Sequence, residues 1–219
     1  MARTVIVDLG TGNLHSVYKA VAYISGESSV CITSRPSEIQ SADYLILPGQ
    51  GAIGAWINQM ENNPGLKEAI TRRLDAGPVL GVCLGLQALY HSSEENGGVT
   101  GLGILAGHVK HFSGHPAHRE AAEGKDTLKI PHMGWNRVRQ KAEHPLWHGI
   151  NDEERFYFVH SYYVESGNAG QVYGECRYGN RFTAVAGHGN LFATQFHPEK
   201  SQQAGLRLIR NFLSWNGKP

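Results

Sequence analysis

The stretch Val79-Leu80-Gly81-Val82-Cys83-Leu84-Gly85-Leu86-Gln87 decides how the chain is read. An apolar run of strand length ends at a cysteine with a glycine two residues away on either side, and the apolar segment Leu86 to Tyr90 that follows suits a helix. Strand, sharp turn and helix form a nucleophile elbow, in which small flanking residues admit a strained turn and lift one side chain above the sheet edge. Cysteine takes the place of the usual serine. At a helix start its thiol meets the positive end of the macrodipole, which favours thiolate, and the Leu84 N–H points at an oxyanion forming nearby. Taken alone, the stretch also suits a small cysteine packed in a core. The remainder of the chain has to decide.

The 219 residues suffice for one large α/β domain or two small ones. Twenty Lys and Arg against 19 Asp and Glu leave a formal charge of +1, which supplies neither a basic field for nucleic acid nor an acidic disordered tail. Cys31, Cys83 and Cys176 are odd in number and lack CxxC spacing, so a disulfide framework and a cysteine zinc site are not expected, and a reducing compartment is. Val5-Ile6-Val7 and Tyr44-Leu45-Ile46-Leu47 are strand-sized, far short of the roughly 20 residues that span a bilayer, and the N-terminus has no signal-peptide core. A cytoplasmic location without membrane or nucleic-acid partners is the expectation.

Thr4 to Leu9 reads as a first strand, Gly10-Thr11-Gly12-Asn13 as a turn, and Leu14, Val17, Val21 and Ile24 as the inner face of a helix. A Gly-x-Gly after a first strand invites a dinucleotide reading. His15 stands where the third glycine belongs, however, and the likely second strand, ending Cys31-Ile32-Thr33, closes without an acidic residue, so no cofactor is expected. Tyr44 to Leu47 forms a third strand, followed by Pro48-Gly49-Gln50-Gly51. Glycines on both sides of one residue let its peptide plane present an N–H to an anion, which makes Gly49, Gln50 and Gly51 a candidate oxyanion loop. Helical segments at Ala52 to Met60 and Leu66 to Ala76 lead back to the Val79 strand. This alternation predicts an α/β fold: a mostly parallel central sheet with helices on both faces.

From about Gly97 the texture changes to glycine-punctuated, β-rich sequence, and no internal repeat or linker divides the chain, so residues 1–219 are read as one domain. Phe112 to Asp126 is polar and reads as a surface excursion. Its neighbourhood holds His108, His111, His115 and His118, but without adjacent cysteines and in an irregular setting these read as solvated histidines, and no metal is expected. The last strand delivers Gln195-Phe196-His197-Pro198-Glu199-Lys200-Ser201, with Ser201 as the N-cap of a final helix whose inner face carries Leu208, Ile209, Phe212 and Leu213. In extended backbone residues two apart point the same way, so the His197 imidazole and the Glu199 carboxylate lie side by side. The carboxylate fixes the tautomer while the other ring nitrogen faces a nucleophile. Cys83, His197 and Glu199 thus arrive in order as nucleophile, base and orienter.

With these motifs in place the sequence resembles the class I glutamine amidotransferases, whose glutaminase domain carries a Gly-x-Cys-x-Gly elbow and a late His-Pro-Glu. Within that class, Asp8 to Val17, the hexapeptide Pro131-His132-Met133-Gly134-Trp135-Asn136, Tyr157 to Tyr162 and Gln195 to Ser201 resemble the glutaminase subunits of imidazole glycerol phosphate synthase. The resemblance implies that Cys83 attacks the side-chain amide of glutamine, that backbone N–H groups of Gln50 and Leu84 hold the oxyanion, and that His197 protonates departing ammonia. It implies Gln87, Glu95, Ser161 and Tyr162 as the grip on the substrate's α-amino and α-carboxylate ends, with Glu94 as the rival of Glu95. It further implies a second chain, a (β/α)8 cyclase subunit forming a heterodimer, with Trp135, Tyr157 and Lys200 at the interface. On this reading the glutaminase is nearly idle until the partner binds its nucleotide substrate. Two features depart from the pattern: Gln50 stands where relatives often carry valine, and the segment from Phe112 to Asp126 is longer than expected. Rival readings are the glutaminase partner of pyridoxal phosphate synthase, a free-standing cysteine γ-glutamyl hydrolase, and a catalytically silent binding module.

Overall fold

A computed structural model describes residues 2–10, 12–118 and 128–218. Thr11 of the first turn and residues 119–126 of the polar segment lie outside the described residues. The first half alternates as expected. β1 (Thr4–Val7), α1 (Leu14–Ser25), β2 (Val30–Thr33), α2 (Pro36–Gln40), β3 (Tyr44–Gly49), α3 (Ile53–Glu61), α4 (Leu66–Ala76) and β4 (Val79–Cys83) follow one another, and β4 runs straight into the short helix α5 (Leu84–Gln87). The sequence carries no strong signal for α2, which starts on Pro36 at its first turn.

β2, β1, β3 and β4 lie side by side in that order and in parallel, and the late strand β13 (Leu191–Thr194) joins them in parallel on the far side of β4. Alternate residues of each strand feed opposite layers. Ile6, Ile46, Leu80 and Phe192 pack with α1 and with α6, the final helix Gln202–Phe212, through Val21, Leu208 and Phe212. Val5, Val7, Leu45 and Leu47 pack on the other face with Trp56, Ile57, Leu66 and Ile70 of α3 and α4. Both faces of the central strands are therefore buried, as a parallel sheet flanked by crossover helices requires.

The second half extends the sheet through antiparallel pairing. The elements β5 (Ser92–Ser93), β6 (Val99–Thr100), β7 (Gly107–His111), β8 (His132–Gln140), β9 (Glu154–His160), β10 (Tyr162–Ser166), β11 (Val172–Tyr178) and β12 (Asn180–His188) follow in chain order. β12 pairs antiparallel with β13 and β10, which carries β7, while β11, β8 and β9 form a lateral ladder that brings the Pro131 to Asn136 hexapeptide alongside Tyr157 to His160.

Candidate active site

The elbow forms where β4 meets α5. Cys83 adopts φ 55° and ψ −102°, a positive-φ conformation costly for a residue with a Cβ, and it is 6% exposed. Its flanking glycines are required by close approach: a methyl group on Gly81 would stand 2.8 Å from Ala193 Cβ, and one on Gly85 would run into the Leu47 carbonyl. Parallel pairing of β4 with β13 sets Val82 opposite Thr194, so the chain leaving β13 passes beside the cysteine.

That chain delivers His197, 1% exposed, whose Nδ1–H donates to Glu199 Oε1 at 2.7 Å. Burial by itself disfavours the charged imidazole. The Cys83 sulfur and the Glu199 carboxylate outweigh it and push the ring up to about 10. The other ring nitrogen, Nε2, is buried and makes no aligned hydrogen bond among the described residues. Ser201 stands at the start of α6 without capping it. Its hydroxyl instead donates to His197 O at 2.6 Å and accepts from Tyr157 N–H at 2.9 Å, tying the His-Pro-Glu turn to β9.

On the other side of Cys83, register places Gly49 directly opposite it. A methyl on Gly49 would meet Leu84 Cβ at 2.7 Å and Trp56 Cδ1 at 2.9 Å, so the Gly49-Gln50-Gly51 loop and the Leu84 N–H share one edge with the sulfur. Trp56 Nε1–H donates to Pro48 O at 3.0 Å and steadies this loop. The β1–α1 turn lies behind it, since a methyl on Gly12 would come within 3.2 Å of Gln50 N. Gly51 has φ +93°, open to glycine and strained for other residues.

The candidate substrate residues converge on the same region. Gln87 is buried, and its Nε2 donates to Tyr162 O at 3.1 Å and to Gln195 Oε1 at 3.0 Å, so neither of these contacts uses its own Oε1. Tyr162 lies near the charges of Glu95 and Glu94, and burial together with these raises its phenol above the usual value. Glu95 Oε2 accepts from Ile53 N–H at 2.7 Å at the start of α3, whereas Glu94 Oε2 accepts from His111 N–H at 3.0 Å. Glu95 is thereby tied to the segment after the Gly49-Gln50-Gly51 loop, and Glu94 is turned to β7. Ser161, between β9 and β10, accepts Phe112 N–H on its backbone carbonyl.

Trp135 is 42% exposed and Met133 62% exposed, both on the outer side of β8. The Trp135 ring meets Tyr157 edge-on at 6.0 Å, and Lys200 Nζ stands 6.0 Å above the Tyr157 ring. The three interface candidates thus form one surface cluster. It borders a cleft of about 610 Å³ lined by Trp135, Arg155, Gln203 and Arg207, which Cys83 does not enter. Of the four histidines around the polar segment, His108 bonds Ser92, His111 bonds Ser113 and His118 bonds Tyr178 O. Among the described residues no group of three or more His, Cys, Asp or Glu side chains gathers as a metal site.

Sequence reasoning missed two contributors. Trp56 carried no signal. Gln195 did, because it precedes His197 by two residues in extended chain and so faces the same way; its Nε2 lies 3.7 Å from Cys83 Sγ.

A buried cysteine on an elbow, paired across the sheet with an imidazole–carboxylate couple, sits beside a glycine loop. The model of the glutamine amidotransferase class I family matches residues 5–215 of this chain. The chain belongs to the class I glutamine amidotransferases. It is 46% identical over 215 residues to the imidazole glycerol phosphate synthase subunit HisH of Aromatoleum aromaticum, covering 98% of this chain and 99% of the relative. It is 45% identical over 218 residues to the subunit of the same name from Pseudomonas syringae pv. syringae, covering 100% of both. A solved glutamine amidotransferase at 18% identity superposes with a TM-score of 0.68 over 96% of this chain and 97% of that one, which shows the common fold of these amidotransferases. Among the described residues, no helix of this family member is long and apolar enough to cross a membrane.

Proposed function

We propose that this chain is the glutaminase subunit of imidazole glycerol phosphate synthase, acting as one catalytic unit through Cys83, His197 and Glu199. The observation that carries the mechanism is the buried His197–Glu199 couple at 2.7 Å beside the Cys83 elbow. Glu199 holds Nδ1 protonated and stabilises the imidazolium, so Nε2 is the nitrogen that exchanges protons with sulfur and substrate.

Cys83 thiolate adds to the side-chain carbonyl carbon of glutamine, and the negative charge that develops on oxygen falls to the N–H groups of Leu84 and Gln50. The adduct collapses when His197 Nε2 gives its proton to the leaving nitrogen, releasing ammonia and a glutamyl thioester. Water then loses a proton to Nε2 and attacks the thioester, and glutamate departs with Cys83 restored. Gln87 Oε1, Glu95, Ser161 and Tyr162 take the α-amino and α-carboxylate ends of the substrate. Gln50 reaches the oxyanion through its backbone N–H.

The ammonia passes to a (β/α)8 cyclase subunit in a heterodimer, which makes imidazole glycerol phosphate and aminoimidazole carboxamide ribotide in the cytoplasm. Exposure of Met133 and Trp135 next to Tyr157 and Lys200 supports this face as the docking surface. The deciding assay is ammonia release from glutamine by the purified chain, alone and with the cyclase subunit and its nucleotide ligand, with Cys83→Ala as control. Strong stimulation that disappears in Cys83→Ala is expected. Full turnover without a partner would favour a free-standing γ-glutamyl hydrolase, and silence in a verified complex would favour a binding module.

A further inference from the structure

Gln195 is completely buried, two residues before His197, and belongs to no step of the reaction as written above. Its side chain is spent on two contacts: Oε1 lies 3.0 Å from Gln87 Nε2, and Nε2 lies 3.7 Å from Cys83 Sγ. Amide orientation is ordinarily ambiguous, because oxygen and NH₂ have nearly the same shape. Here the neighbours remove the ambiguity. Tyr162 O can only accept, so the end of Gln87 that lies 3.1 Å from it is NH₂. The second hydrogen of that NH₂ points at Gln195, whose facing atom must therefore be oxygen. The NH₂ of Gln195 is left facing sulfur.

The anchor at Tyr162 O is itself held. His160 Nδ1 donates to the same carbonyl at 2.7 Å, which makes His160 Nε2 an acceptor for His132 Nδ1 at 2.9 Å and His132 Nε2 an acceptor for Asn136 Nδ2 at 3.1 Å. Burial holds both rings neutral, at about 3 and about 4, as this polarity requires. Donor and acceptor are thus assigned at every link from β8 to the nucleophile.

We infer that Gln195 is a positioning residue for Cys83, an amide donor that Gln87 locks toward the sulfur. An N–H aimed at sulfur favours thiolate over thiol. It also cannot accept a proton from the thiol, which leaves that role to His197. The inference rests on Cys83 being the nucleophile, but its test needs neither glutamine nor a partner, so the two readings fail separately.

The experiment is alkylation of the full chain by iodoacetamide across pH, with the adduct assigned to Cys83 by peptide mass and Cys83→Ala as blank. In Gln195→Met, which keeps the side-chain length and loses the donor, the midpoint of the alkylation profile is expected to rise by about one pH unit, a roughly tenfold change in the thiol–thiolate equilibrium, the order of a hydrogen bond to a charged group. The limiting rate at high pH should stay within about twofold of wild type, since the sulfur and its access are unchanged. Gln87→Met, which frees Gln195 to turn over, should move the profile the same way by a smaller amount, and it keeps the test open should Gln195→Met fail to fold. Unchanged profiles in folded variants, or a rate lowered equally at every pH, would overturn the inference, because the second pattern is that of a merely structural side chain.

Discussion

Gly205→Ala should damage this protein although helix propensity says the reverse. Gly205 lies inside α6, where replacement of glycine by alanine ordinarily stabilises by about 0.5–1 kcal/mol. A methyl group at this position would stand 2.7 Å from Pro198 C and 2.8 Å from Ser201 Cβ, and nearer still to Pro198 O. Carbon atoms in ordinary contact sit about 3.5–4.0 Å apart, so the helix and the His-Pro-Glu turn must separate by on the order of 1 Å. Overpacking of this kind costs roughly 1–3 kcal/mol, which exceeds the propensity gain. At about 2–4 °C per kcal/mol for a chain of this size, a net loss near 1–2 kcal/mol lowers Tm by roughly 2–8 °C. The effect on catalysis is larger. Pro198 joins His197 to Glu199, whose bond is 2.7 Å, and a displacement near 1 Å at reacting groups costs up to about a hundredfold in rate. Thermal unfolding and glutamine turnover in the complex measure the two effects. Gly54→Ala is the control, because a methyl there meets only Val99 Cγ2 at an ordinary 3.6 Å. A Gly205→Ala variant at least as stable as wild type, with turnover within about twofold, would refute the steric argument.

Burial pushes His144 down to about 4, and its Nδ1 accepts Leu146 N–H at 3.1 Å, so the folded state keeps this ring neutral where the unfolded chain protonates near pH 6.5. Stability from it is full above pH 6.5 and declines as pH falls toward 4, by about 3 kcal/mol at most. His144→Asn retains an acceptor without the titration. Urea unfolding at pH 7.5 and 4.5 should therefore show its deficit against wild type shrinking in acid, and a pH-independent deficit would speak against a buried neutral ring. His197 has the opposite sign, contributing below pH 6.5 and fading as pH rises through about 10. Trp135→Ala should weaken binding of the cyclase subunit by on the order of 2 kcal/mol, roughly thirtyfold in Kd by titration calorimetry, while Tm moves little because the ring is already 42% exposed. Unaltered affinity would move the docking surface elsewhere.

The elbow and the His-Pro-Glu motif were legible because their geometry is local. The glycines at 81 and 85 and the alternation of His197 and Glu199 in extended chain are short-range sequence patterns, although the contacts that make glycine necessary there, to Ala193 and Leu47, come from distant segments. The helix after Cys83 was less legible: it covers only Leu84–Gln87, because the chain turns at once into the loop that pairs with β7. Ser201 has the residue type of an N-cap, yet the nearby His197 carbonyl and Tyr157 N–H claim its hydroxyl. Glu95 and Glu94, indistinguishable by sequence position, separate through partners about 40 and 17 residues away in the chain.

Composition, periodicity and turn residues by themselves determined a parallel α/β sheet with helices on both faces, a cysteine raised on a strained turn, and an imidazole oriented by a carboxylate. Tertiary structure alone decided that these meet. The pairing of Thr194 with Val82 joins segments 112 residues apart and sets Gln195 and His197 against Cys83, and the ladder of β8 on β9 gathers Trp135, Tyr157 and Lys200 on one surface. Local preferences come from backbone sterics and act over a few residues. Which strand lies beside which depends on burying both faces of one sheet at once, and that free energy belongs to the whole chain.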